Sequence, residues 1–179
     1  MTSLILNIVG PDKPGLVSAV SEQAAAFGAN WMESRMINLA GQFAGIVHLQ
    51  IEPTQADALI AALLALDSPE LRVFVTLGET APAAPARLLA LDLVGQDRPG
   101  IVKEISRLLA ERGVSIEELN TECVSGPQAG GTLFRATARL LVPAALEPDT
   151  LQRALESLAD DLMVDVTFDH AAPDVLTAH

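Results

Sequence analysis

One pattern occurs twice in this chain, and the repeat constrains the fold more than any other feature. Residues 9–17 read VGPDKPGLV and residues 94–102 read VGQDRPGIV, at an offset of 85. Self-similarity at a fixed offset indicates one structural unit used twice. A chain of 179 residues with such a repeat is therefore expected to form two small domains rather than one larger one.

The offset changes once along the repeat. It grows to 91 where Phe43 aligns with Phe134, and the last apolar segment keeps that offset, with Val73 aligned to Val164. The six additional residues fall within Ser125–Thr132, which contains glycine and proline. Such composition is typical of a lengthened hairpin loop.

Both copies show the same order of elements. Short apolar runs at Leu4–Val9 and Leu88–Val94 predict first strands, and apolar residues at helical spacing follow each of them. Alternation over Phe43–Ile51 predicts a half-buried strand. After a second helix, the last strands are expected at Leu71–Leu77 and Leu162–Phe168.

Strand, helix, strand, strand, helix, strand is the split βαβ arrangement. The predicted fold class is α+β, with two ferredoxin-like βαββαβ domains whose antiparallel sheets carry the helices on one face. Gly28 and Gly113 are expected to end the first helices with positive φ. The predicted organisation is a first domain, a proline-containing linker, a second domain and a tail, at 1–78, 79–87, 88–170 and 171–179.

Composition sets the character of the core and the compartment. Half of the residues are apolar but only 3% are aromatic, so the cores are expected to be aliphatic. Cys123 is the single cysteine and the alternating pattern places it on a strand; it cannot form an internal disulfide, which favours a reducing, cytoplasmic compartment. The apolar run Ser3–Gly10 is too short to cross a bilayer, so no membrane association is expected.

Charge argues against nucleic acid as a direct partner. The chain has 23 acidic and 11 basic residues, a formal net charge of −12. Such a chain is repelled by phosphate backbones and anionic surfaces. Direct DNA binding is therefore not expected.

The most faithfully repeated feature is the turn before the first helix, Asp-Lys-Pro-Gly in one copy and Asp-Arg-Pro-Gly in the other. Proline suits a first helical turn and glycine permits close approach, while free N–H groups at a helix start attract a carboxylate. An aspartate there could accept from an ammonium group, or it could simply cap the helix. The candidate ligand-binding residues are Asp12, Pro14, Gly15, Leu16, Asn30, Asp97, Pro99, Gly100, Ile101 and Ser115.

The pattern Asp-(Lys/Arg)-Pro-Gly-(Leu/Ile)-Val after a first strand, followed by Gly-(Ala/Val)-(Asn/Ser) into a second, resembles the ACT domain. ACT domains are regulatory modules that bind amino acids. The resemblance covers about Ser3–Leu77 and Leu88–Phe168. It implies a non-catalytic protein that responds to a small-molecule amino acid.

A narrower resemblance comes from residues 30–45, NWMESRMINLAGQFAG. This string, with two ACT-like units and no catalytic domain, is similar to the glycine cleavage system transcriptional repressor family. That family is understood to act through a DNA-binding transcription activator protein, which an acidic chain permits. The resemblance implies a regulator of glycine metabolism gene expression with a protein partner.

Other constellations point to no metal, cofactor or catalytic centre. His48, His170 and His179 are scattered, and His48 is expected at a surface or interface. A small ferredoxin-like enzyme, such as an acylphosphatase-type hydrolase, is the alternative. That chemistry needs an anion-binding arginine in the first loop, where this chain has Lys13 and, in its second copy, Arg98.

Each unit of about 80 residues is marginal in size and leaves open sheet edges. The two copies are therefore expected to pair, either within one chain or in a homo-oligomer.

Overall fold

The structure is a computed structural model, and it describes residues 1–78, 85–125 and 131–169. Most of the lengthened hairpin loop expected within Ser125–Thr132 lies outside these residues. The C-terminal tail expected at 171–179 lies outside them as well.

The chain divides into two compact units, Met1–Ala81 and Pro82–His179. This division falls inside the segment 79–87 that was expected to be the linker. Residues 79–84 of that segment lie outside the described part of the chain. Ala86, by contrast, already belongs to the first strand of the second unit.

The first unit has the predicted order of elements. Its strands and helices are β1 (Thr2–Pro11), α1 (Leu16–Ala26), β2 (Asn30–Leu39), β3 (Gln42–Ile51), α2 (Pro53–Leu64) and β4 (Arg72–Leu77). The strands form one sheet in the order β2-β3-β1-β4, and every neighbouring pair is antiparallel.

The second unit repeats this topology. Its elements are β5 (Ala86–Gln96), α3 (Ile101–Glu111), β6 (Ser115–Ser125), β7 (Thr132–Pro143), α4 (Pro148–Leu162) and β8 (Val164–Asp169). The sheet order is β6-β7-β5-β8, again antiparallel throughout. The predicted α+β class and the tandem βαββαβ fold are therefore confirmed.

Both helices of a unit cover the same face of its sheet. In the first unit, alternate β1 residues such as Leu4 and Leu6 are buried in one cluster with Val20 from α1 and Leu59 from α2. The second unit buries its sheet against α3 and α4 in the same way. Phe134 is the only aromatic residue among the buried core residues of the described chain, so the predicted aliphatic cores are confirmed.

Several element boundaries differ from those that apolar runs predict. β1 extends to Pro11, because its pairing with β3 continues to Gln42 beyond the apolar run. Leu162 belongs to α4, not to the last strand, since the helix continues to that residue. Gly28 and Gly113 do follow the first helices with positive φ of 69° and 68°.

The predicted alignment of the last strands was wrong by two residues. Val9 pairs with Arg72 in the first sheet, and its counterpart Val94 pairs with Asp165 in the second. The offset there is 93, not 91. Both alignments keep the same alternation of faces, since two residues are one full period of a strand.

Candidate functional site

A glycine ends the loop between the first strand and first helix of each unit. Gly15 precedes α1 with φ 95°, and Gly100 precedes α3 with φ 101°. This left-handed backbone is strained for any residue with a β-carbon, so conformation requires glycine here. The expectation that the two prolines lie in the first helical turn was wrong, because each proline precedes its glycine and lies outside the helix.

The helix starts behind these glycines have uncapped N–H groups. The first intrahelical bonds run from Ala19 N to Gly15 O, 2.9 Å, and from Glu104 N to Gly100 O, 3.0 Å. The N–H groups before them have no acceptor within the helix, and no side chain caps either helix. Together with the helix dipole, they make each loop an attractive place for an anion.

Asp12 and Asp97 lie beside these helix starts. The backbone N–H of Asp12 donates to Gly41 O and that of Asp97 donates to Thr132 O, both at 2.9 Å. Both side chains are exposed, and neither carboxylate has a hydrogen bond or ion pair with the described residues. The alternative role of the aspartates as helix caps is therefore not observed, and both carboxylates can accept from a ligand.

The first loop also meets a turn that the sequence analysis missed. Gly41 and Ala40 form the tight turn between β2 and β3, and both have positive φ. The available signal was the Ala-Gly pair between two alternating strands, since two-residue hairpin turns favour glycine. The turn fixes the position of Asp12 through the hydrogen bond to Gly41 O.

The basic residues of both loops are engaged within their own units. Lys13 Nζ lies 2.8 Å from Glu70 Oε1, and Arg98 Nη2 donates to Asp161 O at 3.0 Å. The hydrogen bond from Lys13, together with its charge, lowers the pKa of the Glu70 carboxyl. Both cations therefore already have a partner within their own unit.

Leu16 and Ile101 are the first residues of their helices. Ile101 is only 2% exposed and is part of the core, whereas Leu16 is half-buried against the first core. Their contribution to a ligand site would therefore come mainly from backbone N–H groups.

Asn30 does not lie beside Asp12 in its own unit. Asn30 pairs with Gln50, which pairs with Ser3 near the start of β1, whereas Asp12 follows the opposite end of β1. At about 3.4 Å per residue, the strand from Ser3 to Asp12 spans roughly 30 Å. The expectation that the start of the second strand borders the loop was wrong. The end of β2 borders the loop instead, because α1 runs the length of the sheet and β2 then runs back toward the loop.

Ser115 is placed in the same way in the second unit. It pairs with Leu141, whose other partner is Leu88 near the start of β5. Asp97 follows the opposite end of that strand. One unit therefore cannot bring Ser115 and Asp97 to the same small ligand.

The remaining sequence candidates fit surface roles. His48 is partly buried on the face of the first sheet opposite the helices, where its Nε2 lies 2.7 Å from Ser3 Oγ. Cys123 is exposed and lies on β6, the strand position that the alternating pattern predicts. In the described residues, no group of three histidine, cysteine, aspartate or glutamate side chains could hold a metal ion. Within the same residues, no helix is both long and apolar enough to cross a membrane.

The fold and the repeated loops define a tandem of two small ferredoxin-like α+β domains. Residues 2–75 and residues 90–160 each match the ACT domain family, and together these matches cover more than half of the chain. The chain belongs to the ACT domain family.

Individual proteins resemble the chain over nearly its full length. The glycine cleavage system transcriptional repressor of Escherichia coli (strain K12) is 25% identical over 166 residues, covering 89% of this chain and 85% of that protein. The protein of the same name from Shigella flexneri matches equally. A crystal structure of an unknown protein from Galdieria sulphuraria has a TM-score of 0.85 and 29% identity, covering 96% of this chain and 99% of that one.

Proposed function

We propose that this chain is a non-catalytic, amino-acid-responsive regulatory protein that controls gene expression in glycine metabolism through a protein partner. One observation carries the proposal. Two ACT domains each have an uncapped helix start beside an unpaired aspartate, at Asp12 and Asp97. A regulatory role rests on the family, whereas the ligand and the partner are the parts that need testing.

The chemistry of the loops suits a zwitterion. The N–H groups behind Gly15 and Gly100 bind the carboxylate, and the aspartate carboxylates bind the ammonium group. Pro14 and Pro99 restrict the loop before each glycine and so limit its conformations. Asn30 and Ser115 do not share these sites, since each lies far from the aspartate of its own unit.

The proposed partner is a DNA-binding transcription activator. The E. coli relative is named as a transcriptional repressor, and the net charge of −12 disfavours direct contact between this chain and DNA. Repression by an acidic protein is then most simply achieved by binding the protein that contacts the DNA.

An acylphosphatase-type hydrolase is not favoured. Such chemistry needs a guanidinium available to a phosphate at the loop, yet Arg98 donates to Asp161 O and Lys13 is paired with Glu70. Acyl-phosphate hydrolysis by the purified chain that is abolished by Arg98→Ala would overturn the non-catalytic assignment.

The ligand is tested by thermal unfolding in the presence of each of the twenty amino acids. A ligand at 100 times its Kd adds about 2.7 kcal/mol to the free energy of unfolding, which raises the unfolding temperature of a domain of this size by roughly 10–20 °C. Asp12→Asn and Asp97→Asn should reduce the shift, since each removes the charge that holds the ammonium group.

Asp57→Asn serves as the matched control, because it makes the same charge change on the exposed surface of α2. If an amino acid stabilises the protein equally in the wild type, in the control and in the doubly substituted Asp12→Asn/Asp97→Asn variant, the loops are not the site. If no amino acid stabilises the wild type, the amino-acid response itself is wrong.

A further inference from the structure

The two sheets differ on the face that their helices leave uncovered, here called the open face. In the second sheet, one row across the four strands consists of short polar residues: Asn120, Thr137, Asp92 and Thr167. Their pairing places all four side chains side by side. This set is called the polar row.

The corresponding row of the first sheet is different, since two of its four residues are large and apolar. Pairing places Arg35, Ile46, Asn7 and Phe74 side by side there, and Ile46 and Phe74 are 45% and 52% exposed. The topology is the same in both units, so the fold does not require the polar row. A role that is specific to the second unit therefore explains its polar residues.

Two arginines flank the polar row on β7. Arg135 and Arg139 lie two residues to either side of Thr137 and so share its face. Arg139 Nη2 lies 3.2 Å from Glu117 Oε2. Arg135 Nη1 is 4.0 Å from Glu122 Oε1, too far for a hydrogen bond, and its guanidinium keeps its donors for another partner.

Three residues of the polar row, Asn120, Thr137 and Asp92, form the floor of an open groove of about 370 Å³. Arg135, Glu122, Asp92, Thr137 and Asn120 are among the residues that line it. The short floor residues beside the long Arg135 and Glu122 side chains give the surface its concave shape.

Asp92 is the least expected residue in this groove. It lies in the interior of β5, a central strand, although aspartate is disfavoured in strands. Its neighbours across the sheet are Thr137 and Thr167, and its carboxylate has no hydrogen bond or ion pair with the described residues. A residue type that is disfavoured in its secondary structure and gains no stabilising contact there is typical of a functional position.

We propose that this groove is a binding site for a small zwitterion of amino-acid size. The Arg135 guanidinium binds the ligand carboxylate, and the Asp92 carboxylate binds its ammonium group. Thr137 supplies a hydroxyl group and Asn120 supplies its amide oxygen, since the Asn120 amide nitrogen donates to Glu118 Oε1 at 2.9 Å.

The charges of the groove select for both groups on one molecule. A simple anion at Arg135 is repelled by Glu122 and Asp92, and a simple cation at Asp92 leaves the Arg135 guanidinium without a ligand partner. A molecule that carries both charges satisfies both residues. The site is distinct from the helix starts, since Asp92 and Asp97 are separated by roughly 17 Å of extended strand.

The test is calorimetric titration of the full chain carrying Asp12→Asn and Asp97→Asn, which disables the helix starts. The probes are the twenty amino acids, with acetate and methylamine as the separate carboxylate and amine. At least one amino acid should bind, and acetate and methylamine should bind at least ~10-fold more weakly, because each makes only one charged hydrogen bond.

Asp92→Asn and Arg135→Gln, each added to that protein, should raise the Kd by at least ~10-fold. Asp165→Asn is the matched control: it makes the same charge change on the same face of the sheet, where Asp165 pairs with Val94, and should change the Kd less than ~2-fold. Unchanged circular dichroism and unfolding temperature in each variant exclude misfolding as the cause.

Two results would overturn the groove. One is that no amino acid binds once the helix starts are disabled, although the wild type binds one; the loops then remain as the site. The other is binding that is unaffected by both Asp92→Asn and Arg135→Gln. Conversely, if an amino acid binds the groove and its Kd is the same for the wild type and for the Asp12→Asn and Asp97→Asn variants, only the proposed loop site is overturned.

Discussion

Gly95 of β5 and Val164 of β8 face each other so closely that residue 95 has no room for a side chain. A β-carbon added at Gly95 would lie 2.8 Å from Val164 Cβ and would overlap Val164 Cγ1. Gly10 has the same place in the first unit, where a β-carbon would overlap the Glu70 carbonyl oxygen. The glycine before each repeated loop is therefore needed for strand packing, not for contact with a ligand.

Gly95→Ala should destabilise the second unit by about 1–3 kcal/mol, because the methyl group forces β8 and its buried valine to shift. Unfolding in denaturant followed by circular dichroism measures this effect. Gln96→Ala, at an exposed position of the same strand, should stay within about 0.5 kcal/mol of the wild type. Equal stability of the two variants would show that β8 can shift without lowering the free energy of unfolding.

Gly15→Ala should also destabilise, but for a conformational reason. A β-carbon at Gly15 would meet nothing within 4 Å, yet φ is 95°. We expect a loss of about 1–2 kcal/mol for alanine and less for asparagine, which tolerates left-handed backbone better. Fluorescence of Trp31, the single tryptophan, follows unfolding of this unit. A variant as stable as the wild type would contradict the requirement for glycine.

Acid should weaken the first unit partly through Asp67. The Asp67 carboxylate accepts from Val73 N at 2.9 Å and from Arg72 Nε at 3.0 Å, and these hydrogen bonds lower its pKa. Because the folded pKa is below the unfolded value of about 4, ionised Asp67 stabilises the fold at neutral pH. That contribution is lost as the pH falls through the folded pKa.

Asp67→Asn should therefore be less stable than the wild type at pH 7, with a difference that shrinks below about pH 4. Trp31 fluorescence during urea unfolding at several pH values measures it. Asp57→Asn on α2 provides a comparison with the same charge change. A difference between wild type and Asp67→Asn that stays constant from pH 7 to pH 3 would be incompatible with this explanation.

The order of elements could be predicted from the sequence because the repeat offers two independent readings of one pattern. Alternation in β3 and helical spacing after Leu16 both follow from burial on one face, which periodicity reports directly. Boundaries could not be predicted as well. Pairing with β3 extends β1 to Pro11, and backbone hydrogen bonds of this kind leave no apolar signal.

The candidate site was predictable only in part. The loop residues are local in sequence, so Asp12 and Gly15 were found together. The expected proximity of Asn30 failed because it depends on the direction in which β2 crosses the sheet. The polar row was missed for the same reason, since Asp92 and Asn120 are neighbours only through their shared partner Thr137 on β7.

The last prediction concerns DNA. Binding strength to DNA comes largely from cations that neutralise phosphates, and this chain has 11 basic residues against 23 acidic ones. Several of those cations already have an acidic partner within their own unit: Lys13, Arg35, Arg72, Arg107 and Arg139.

The purified chain should therefore give no footprint on a glycine-metabolism promoter at physiological salt. A DNA-binding activator should give a footprint by itself, and adding this chain should change that footprint. The amino acid identified by thermal unfolding should alter the concentration of this chain that is needed for the change. Protection by the pure chain without any activator would show that it contacts DNA itself and would remove the need for a protein partner.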